Sequence, residues 1–461
     1  MPADPNAVPA PLIPKHDPYA AFRSPDYRCY AIGNLISSLG RQMLGVGIIF
    51  EVYARTNSGT ALGLTGLMGA LPIVLLSLPA GAIADRVNRK HIVLATQLLS
   101  TVTSVGLFLL AIEHLSIPPI SPLPALVDGL YRLAGWFGEH AAGPGIEGGV
   151  TFDRALPLMY LLLLINGVAR AFGWAARGAL FPNLVPRESL SNAVMWNSSN
   201  FELTCVIGPA LGGLVIARFG TATVYAIDAI CALACLFFIM PIRAPQERSA
   251  TTAHPLRDFF GGLHFVFQQK VILATITLDM FAVLLGGAIA ILPMFTSQIL
   301  HVGAIGLGWL RAAPSIGAVT MAFALAHRPP LRKAGNAMLL AVAGFGAATI
   351  VFGLSRSYTL SFVALVLTGA CDNNSVVVRH TLVQVLTPDA MRGRVSAVNN
   401  IFIGSSNELG ALESGLTAAR FGPVLSVVGG GIGTILVVLG ICWKWPQVRR
   451  LGPLQAPTPT E

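Results

Sequence analysis

Long apolar runs recur along the chain, each separated from the next by a short polar stretch. They lie near 29–54, 60–84, 90–113, 155–177, 189–216, 220–242, 269–293, 304–327, 335–355, 358–380, 394–419 and 421–443. A helix needs about 20 apolar residues to cross a bilayer, and these runs are of that length. Lipid offers the backbone no hydrogen-bond partners, so a crossing segment must satisfy its own N–H and C=O groups as a helix. The pattern predicts an all-α integral membrane protein with twelve transmembrane helices, spans one to twelve.

The polar breaks divide the chain further. Residues 1–28 and 444–461 read as tails, 29–242 and 269–443 as two six-helix bundles, and 243–268 as a linker between them. The linker is polar at first and then amphipathic, with Phe259, Phe260, Leu263 and Phe267. The connection 114–154 is the one long loop inside a bundle. It carries Pro118, Pro119, Pro122 and Pro124, then Leu126, Leu130, Leu133 and Phe137 at helical spacing around Asp128 and Arg132. The spacing predicts a short helix on the outer membrane face or over the mouth of the bundle, with an unstructured loop as the alternative. A thirteenth crossing there would invert every loop downstream.

Composition narrows the class. The chain is 54% hydrophobic and only 11% charged, where soluble proteins average about 25% charged residues. So little charge excludes a soluble enzyme. The net charge of +9 would point to nucleic acid in a soluble protein, but the loops explain it. With both tails on one side, 21 of the 30 Lys and Arg fall on that side, six on the other, and Arg41, Arg170 and Arg311 within spans. Basic loops face the cytoplasm, so both termini are expected there, in the cytoplasmic (inner) membrane, and no nucleic-acid partner is expected. The first 28 residues lack the short apolar core and cleavage site of a signal peptide. The six cysteines fall in apolar stretches without metal-type pairs, so no disulfide framework is expected.

The two bundles repeat each other. At an offset of 202, Gly167 matches Gly369, Arg177 matches Arg379, Leu184 matches Leu386 and Pro186 matches Pro388. Earlier in each half the offset is 243, pairing Gly63 with Gly306, Arg89 with Arg332 and Lys90 with Lys333. The offsets differ by 41 residues, the length of the 114–154 connection, which has no counterpart in the second half. Repeated bundles of this kind bind substrate between the halves near the bilayer midplane and open alternately to either side.

Two motifs carry a family resemblance. Gly81-Ala82-Ile83-Ala84-Asp85-Arg86-Val87-Asn88-Arg89-Lys90 resembles the signature loop GxLaDrxGrk of the major facilitator superfamily, with Asn88 in place of the usual glycine. Gly208-Pro209-Ala210-Leu211-Gly212-Gly213 in span five resembles the GPxxGG core found in antiporters of that superfamily, although Thr204 stands where that motif has glycine. Phe181–Pro186, Ile227-Asp228-Ala229 and Pro388–Val395 resemble the enterobactin-exporter-like branch, which also includes macrolide and multidrug exporters. The resemblance implies the twelve-helix fold and export. It makes Gly81, Asp85, Arg86, Arg89 and Lys90 a conformational latch, with Gly81 allowing close helix approach and Asp85 favoured at a helix N-terminus. It makes Gly208, Pro209, Gly212 and Gly213 a tight-packing segment that seals one side of the cavity.

Charges inside the spans are the remaining chemistry, because each is expensive in lipid unless paired or facing water. Seven acids qualify: Glu51, Glu202, Asp228, Asp279, Asp372, Glu408 and Glu413. Glu51, near an outer helix end, is expected to snorkel to the interface. Asp228, alone in its span, is structural or functional. Arg170 and Asp372 are equivalent at the 202 offset, in spans that flank the cavity by resemblance. They are expected to form a gate or coupling pair, or else each to find a local partner, with Arg41 as a further cation. Glu202, Asp279, Glu408 and Glu413 are candidate proton carriers, as intramembrane carboxyls commonly are. Glu408 and Glu413 are five residues apart and do not share a helical face. His380, beside Arg379 at an inner helix end, is expected to be interfacial.

No P-loop, HExxH or Ser/His/Asp constellation stands out, so no cofactor, metal site or catalytic residues are expected. The expectation is a secondary active transporter that exports a bulky amphipathic molecule, drug-like or siderophore, in exchange for protons, with membrane lipids around it. Uptake or lysophospholipid transport on the same fold is the alternative, and a polytopic membrane enzyme is a more remote one.

Overall fold

The computed structural model describes residues 17–112, 155–243, 255–327 and 333–452. The 114–154 connection, with its expected outer-face helix, lies outside the described residues, as do 1–16 and 453–461 of the tails. Among the described residues the chain is helical throughout, and eleven helices are long and apolar enough to cross a membrane. The twelfth, Asp389–Phe421, has 33 residues and spans about 50 Å. It is the most polar of the set and forms span eleven.

Local sequence sets the helix ends. The Ser24 side chain caps span one (Pro25–Thr56) by accepting from the Tyr27 N–H, with proline at the first helical position, where a missing N–H loses nothing. Asn57 ends that helix at φ 47° and Ser58 starts span two (Gly59–Arg86) by accepting from the Ala61 N–H. Two residues therefore reverse the chain. Gly220 and Gly422, equivalent at the 202 offset, turn spans five into six and eleven into twelve at φ 83° and 84°, a conformation that suits glycine.

Most span ends fall within a few residues of the sequence expectation, and three differences matter. Span seven is not one helix over 269–293 but Lys270–Gly286, a 3-10 turn Ala288–Ile291, and Leu292–Gln298. Gly286-Gly287 and Pro293 interrupt the hydrogen-bond ladder there. Span ten runs over Tyr358–Leu386 and span four over Leu156–Leu180, so Arg379 and Arg177 lie inside helices and not in basic loops. Glu51 does not snorkel: it is 5% exposed and held by Arg55 one turn on, at 2.6 Å. Arg55 also donates to the Leu110 carbonyl at the end of span three.

The packing obeys the repeat. In the first half span one lies on five and six, three on four and six, and two on four; in the second half seven lies on eleven and twelve, nine on ten and twelve, and eight on ten. Between halves, span two packs on eleven and span five on eight, contacts that the repeat exchanges. The two halves are therefore related by a pseudo-twofold.

The inter-half contacts concentrate on the face opposite the termini. One continuous apolar core there joins both halves, including Leu44, Val52 and Leu62 from the first and Ile291, Phe295 and Leu307 from the second. Gln298 Nε2 donates to Tyr53 Oη at 2.7 Å across the divide. Near the termini the cores are separate: one built from Tyr27, Val93 and Leu180, others from Ala274, Met338 and Val378 and from Val266, Val395 and Val398. Span two is buried at Leu62, Leu64 and Met68 but exposed at Leu71, Val74 and Leu75 toward the termini. The halves are closed on the far face and apart on the termini face. The amphipathic linker forms a helix, Pro255–Gln268, that buries Val266 against Val395 and Val398 of span eleven.

Candidate transport pathway

The far-face seal depends on missing side chains. A β-carbon on Gly63 would lie 2.9 Å from the Leu412 carbonyl oxygen, and one on Gly66 would lie 2.7 Å from Ala411 Cβ, both on span eleven. The second seal uses the span-five motif. A β-carbon on Gly213 would lie 2.9 Å from Gly308 Cα of span eight, and one on Gly308 would lie 2.5 Å from the Pro209 carbonyl. Gly208 and Gly212 face the other way, onto Gln42 and Met43 of span one. The motif thus binds one helix to both halves.

The loop after span two works through its cations. Arg89 Nη1 donates to the Ala179 carbonyl at 3.0 Å, at the end of span four. Lys90 Nζ donates to the Met240 and Ile242 carbonyls at 2.6 and 2.9 Å, at the end of span six. Cations suit helix C-termini, where carbonyls are unpaired and the dipole is negative. Asn88, the departure from the signature, accepts from the Lys90 and His91 N–H groups and caps span three. Arg86 is exposed, and the Asp85 side chain lies outside what the structure describes. Nothing lies within 4 Å of a β-carbon placed on Gly81, so this end of span two makes no close helix approach in the state seen here.

Inside the first half a polar chain crosses three spans. Arg41 donates to Ser37 Oγ at 2.5 Å and to Ser38 Oγ at 2.6 Å. Gln97 Nε2 donates to Ser37 Oγ at 3.0 Å, and Arg177 Nη2 donates to Gln97 Oε1 at 2.5 Å. Asp228 accepts from Ser104 Oγ at 2.5 Å, a satisfied buried acid. Arg379, the repeat equivalent of Arg177, ion-pairs with Asp279 of span seven, and both side chains are under 10% exposed. Asp279 is therefore bound to a partner and not free.

Arg170 does not meet Asp372. Arg170 Nη2 lies 3.1 Å from Glu408 Oε1 in span eleven, backed by Gly69 of span two. The reason is the packing order. Span two holds both four and eleven, whereas ten sits behind eight and nine. The Asp372, Glu202 and Arg311 side chains have no hydrogen-bond or ion-pair partner among the described residues, and the Glu413 carboxylate has only Ser414 Oγ at 3.5 Å. His380 is exposed on span ten, a turn and more inside the helix end. Sequence reasoning missed Arg311, the Ser37–Gln97–Arg177 chain and the Tyr53–Gln298 link. Arg311 was visible as an in-span cation, but its equivalent at the 243 offset is apolar Met68, so the repeat gave it no partner. Among the described residues no cluster of three His, Cys, Asp or Glu is placed to hold a metal.

Comparison with known proteins agrees with this geometry. The model of the transmembrane secretion effector family matches residues 16–123 and 151–452. The enterobactin exporter EntS of Citrobacter koseri is 25% identical over 426 residues, 92% of this chain and 93% of the relative. A bacterial homolog of the human lysosomal transporter Spinster, solved inward-facing and unoccupied, superposes with a TM-score of 0.67 at 14% identity, covering 96% of this chain and all of that one. A bacterial homologue of the iron transporter ferroportin, inward-facing, gives 0.63 at 14% identity over 90% and 98%. The chain belongs to the transmembrane secretion effector family and is a multi-pass secondary transporter of the major facilitator fold.

Proposed function

We propose that the protein is a proton-coupled exporter of a bulky amphipathic molecule, siderophore or drug-like, in the cytoplasmic membrane with both termini inside. The observation that carries this reading is a pair of repeated bundles sealed by glycine crossings on one face and parted on the other, the arrangement that alternating access requires. The excess of basic residues on the termini side supports the orientation, and the enterobactin exporter among the relatives supports the substrate class. Residues 29–242 and 269–443 are the rocking units. Gly81, Asp85, Arg86, Arg89 and Lys90 are the latch that closes the termini face in the opposite state. Glu408 and Asp279 are held in ion pairs, so Glu202, Asp372 and Glu413 are the proton carriers. The protein is a carrier and not an enzyme.

Inside-out membrane vesicles with an acid interior test this. They should accumulate a siderophore of the enterobactin type, or one compound of a drug panel, and an uncoupler should stop them. Replacing Glu202 and Glu413 with Gln and Asp372 with Asn should remove the proton dependence while leaving downhill exchange. Uptake that ignores the proton gradient in the unaltered protein would end the coupling proposal.

A further inference from the structure

We propose that Arg170 and Arg311, one from each half, form a recognition site for an acidic oxygen group on the substrate, and that Glu408 is the internal stand-in which the substrate displaces. The proposal rests on the transporter reading above. Each arginine reaches across the divide. Arg170, of span four, meets Glu408 of span eleven. Arg311, of span eight, lies against span one: a β-carbon on Gly45 would sit 3.1 Å from its Nη2. Gly45 and Gly69 leave the room that the two guanidinium groups occupy.

Both groups are under-used. A guanidinium carries five N–H donors and no acceptor. Arg170 commits one nitrogen, Nη2, to a single carboxylate oxygen, and 47% of its side chain is exposed. The Arg311 side chain has no hydrogen-bond or ion-pair partner among the described residues, although it is largely buried. Cations within a span stay charged only where they face water or a partner, and Glu408, which pairs with Arg170, is also the acid whose charge acts on Arg311. Arg–carboxylate recognition is strongest when bidentate, and the Arg170–Glu408 contact uses one bond where two are possible. Glu408 comes on span eleven, which parts from span two when the seal opens, so it is a tethered and replaceable anion. A ligand carboxylate or phosphate that enters from the termini side would take the free donors of both arginines and release Glu408 from Arg170.

The test uses the full chain in lipid nanodiscs, with empty nanodiscs as background and two fluorescent probes, dansyl-labelled undecanoate and its methyl ester. At a pH where the acid is ionised, it should bind about ten- to a hundred-fold tighter than the ester, from the worth of hydrogen bonds to a charged group. Arg311→Gln and Arg170→Gln should each remove most of that preference and leave ester binding unchanged. Glu408→Gln should tighten the acid and not the ester, an effect that a purely structural Glu408 would not produce. Equal binding of acid and ester by the unaltered protein, or no tightening in Glu408→Gln when ester binding is intact, overturns the site. Proteoliposome transport separates this from the parent reading. Gradient-driven movement of the ester with no preference for the acid overturns the site alone. Acid preference without driven movement of either probe supports the site and overturns the transport reading alone.

Discussion

The seal between spans two and eleven makes a sharp quantitative prediction. Gly63→Ala puts a methyl group 2.9 Å from the Leu412 carbonyl oxygen, where ordinary contact begins at 3.4 Å. The obstructing atom is backbone and cannot swing away, so the two helices must part by about half an ångström at that level. Overpacking of this kind costs about 1–3 kcal/mol. The cost falls only on the state closed at the far face, because in the opposite state these helices separate. A differential of that size moves the two-state ratio by about 5- to 150-fold toward the far-face-open form. Spin labels on the Asn57–Ser58 turn and near Gly422, in a background without the six native cysteines, report that separation as a distance distribution. Gly440→Ala is the control, since nothing lies within 4 Å of a β-carbon there. If Gly63→Ala and Gly440→Ala give the same distribution, the inference that glycine contact sets the balance fails.

Other outcomes follow from particular contacts. Arg379→Gln leaves Asp279 charged and unpaired in a buried site and should destabilise the protein by about 3–5 kcal/mol, read as a fall in Tm; the double variant with Asp279→Asn should recover most of it. Asn88→Ala removes the cap of span three and should cost about 1 kcal/mol, whereas Asn88→Gly, the residue of the signature, should cost only a few tenths; chemical denaturation of the purified protein separates the two. Gly81→Val meets no neighbour in this state, so it should leave Tm unchanged yet slow turnover by obstructing closure of the termini face, and turnover equal to the unaltered protein would remove Gly81 from the latch.

How far the sequence could be read depended on the range of the interaction. Hydropathy over about 20 residues fixes a crossing, so the spans were legible to within two turns. The repeat was legible because both halves keep the same residues near span ends, as Pro186 with Pro388 and Lys90 with Lys333 show; the matching turns at Gly220 and Gly422 emerged only in the structure. Single charges were harder. Arg379 looked like a loop cation because a charge ends an apolar run, but Asp279, a hundred residues away, lets the helix carry it inward. Arg170 and Asp372 were matched by the repeat, which relates positions across an axis and does not bring them into contact.

The sequence by itself determined what the bilayer enforces locally: helices of spanning length, their number, and a duplicated plan with tight-packing glycines in span five. The tertiary structure alone decided which face is sealed, that Glu408 and not Asp372 answers Arg170, and that Gln97 links Arg177 to Ser37. The physical reason is that lipid acts on each segment separately, whereas a charge inside a span is stabilised by whichever helix packing brings beside it.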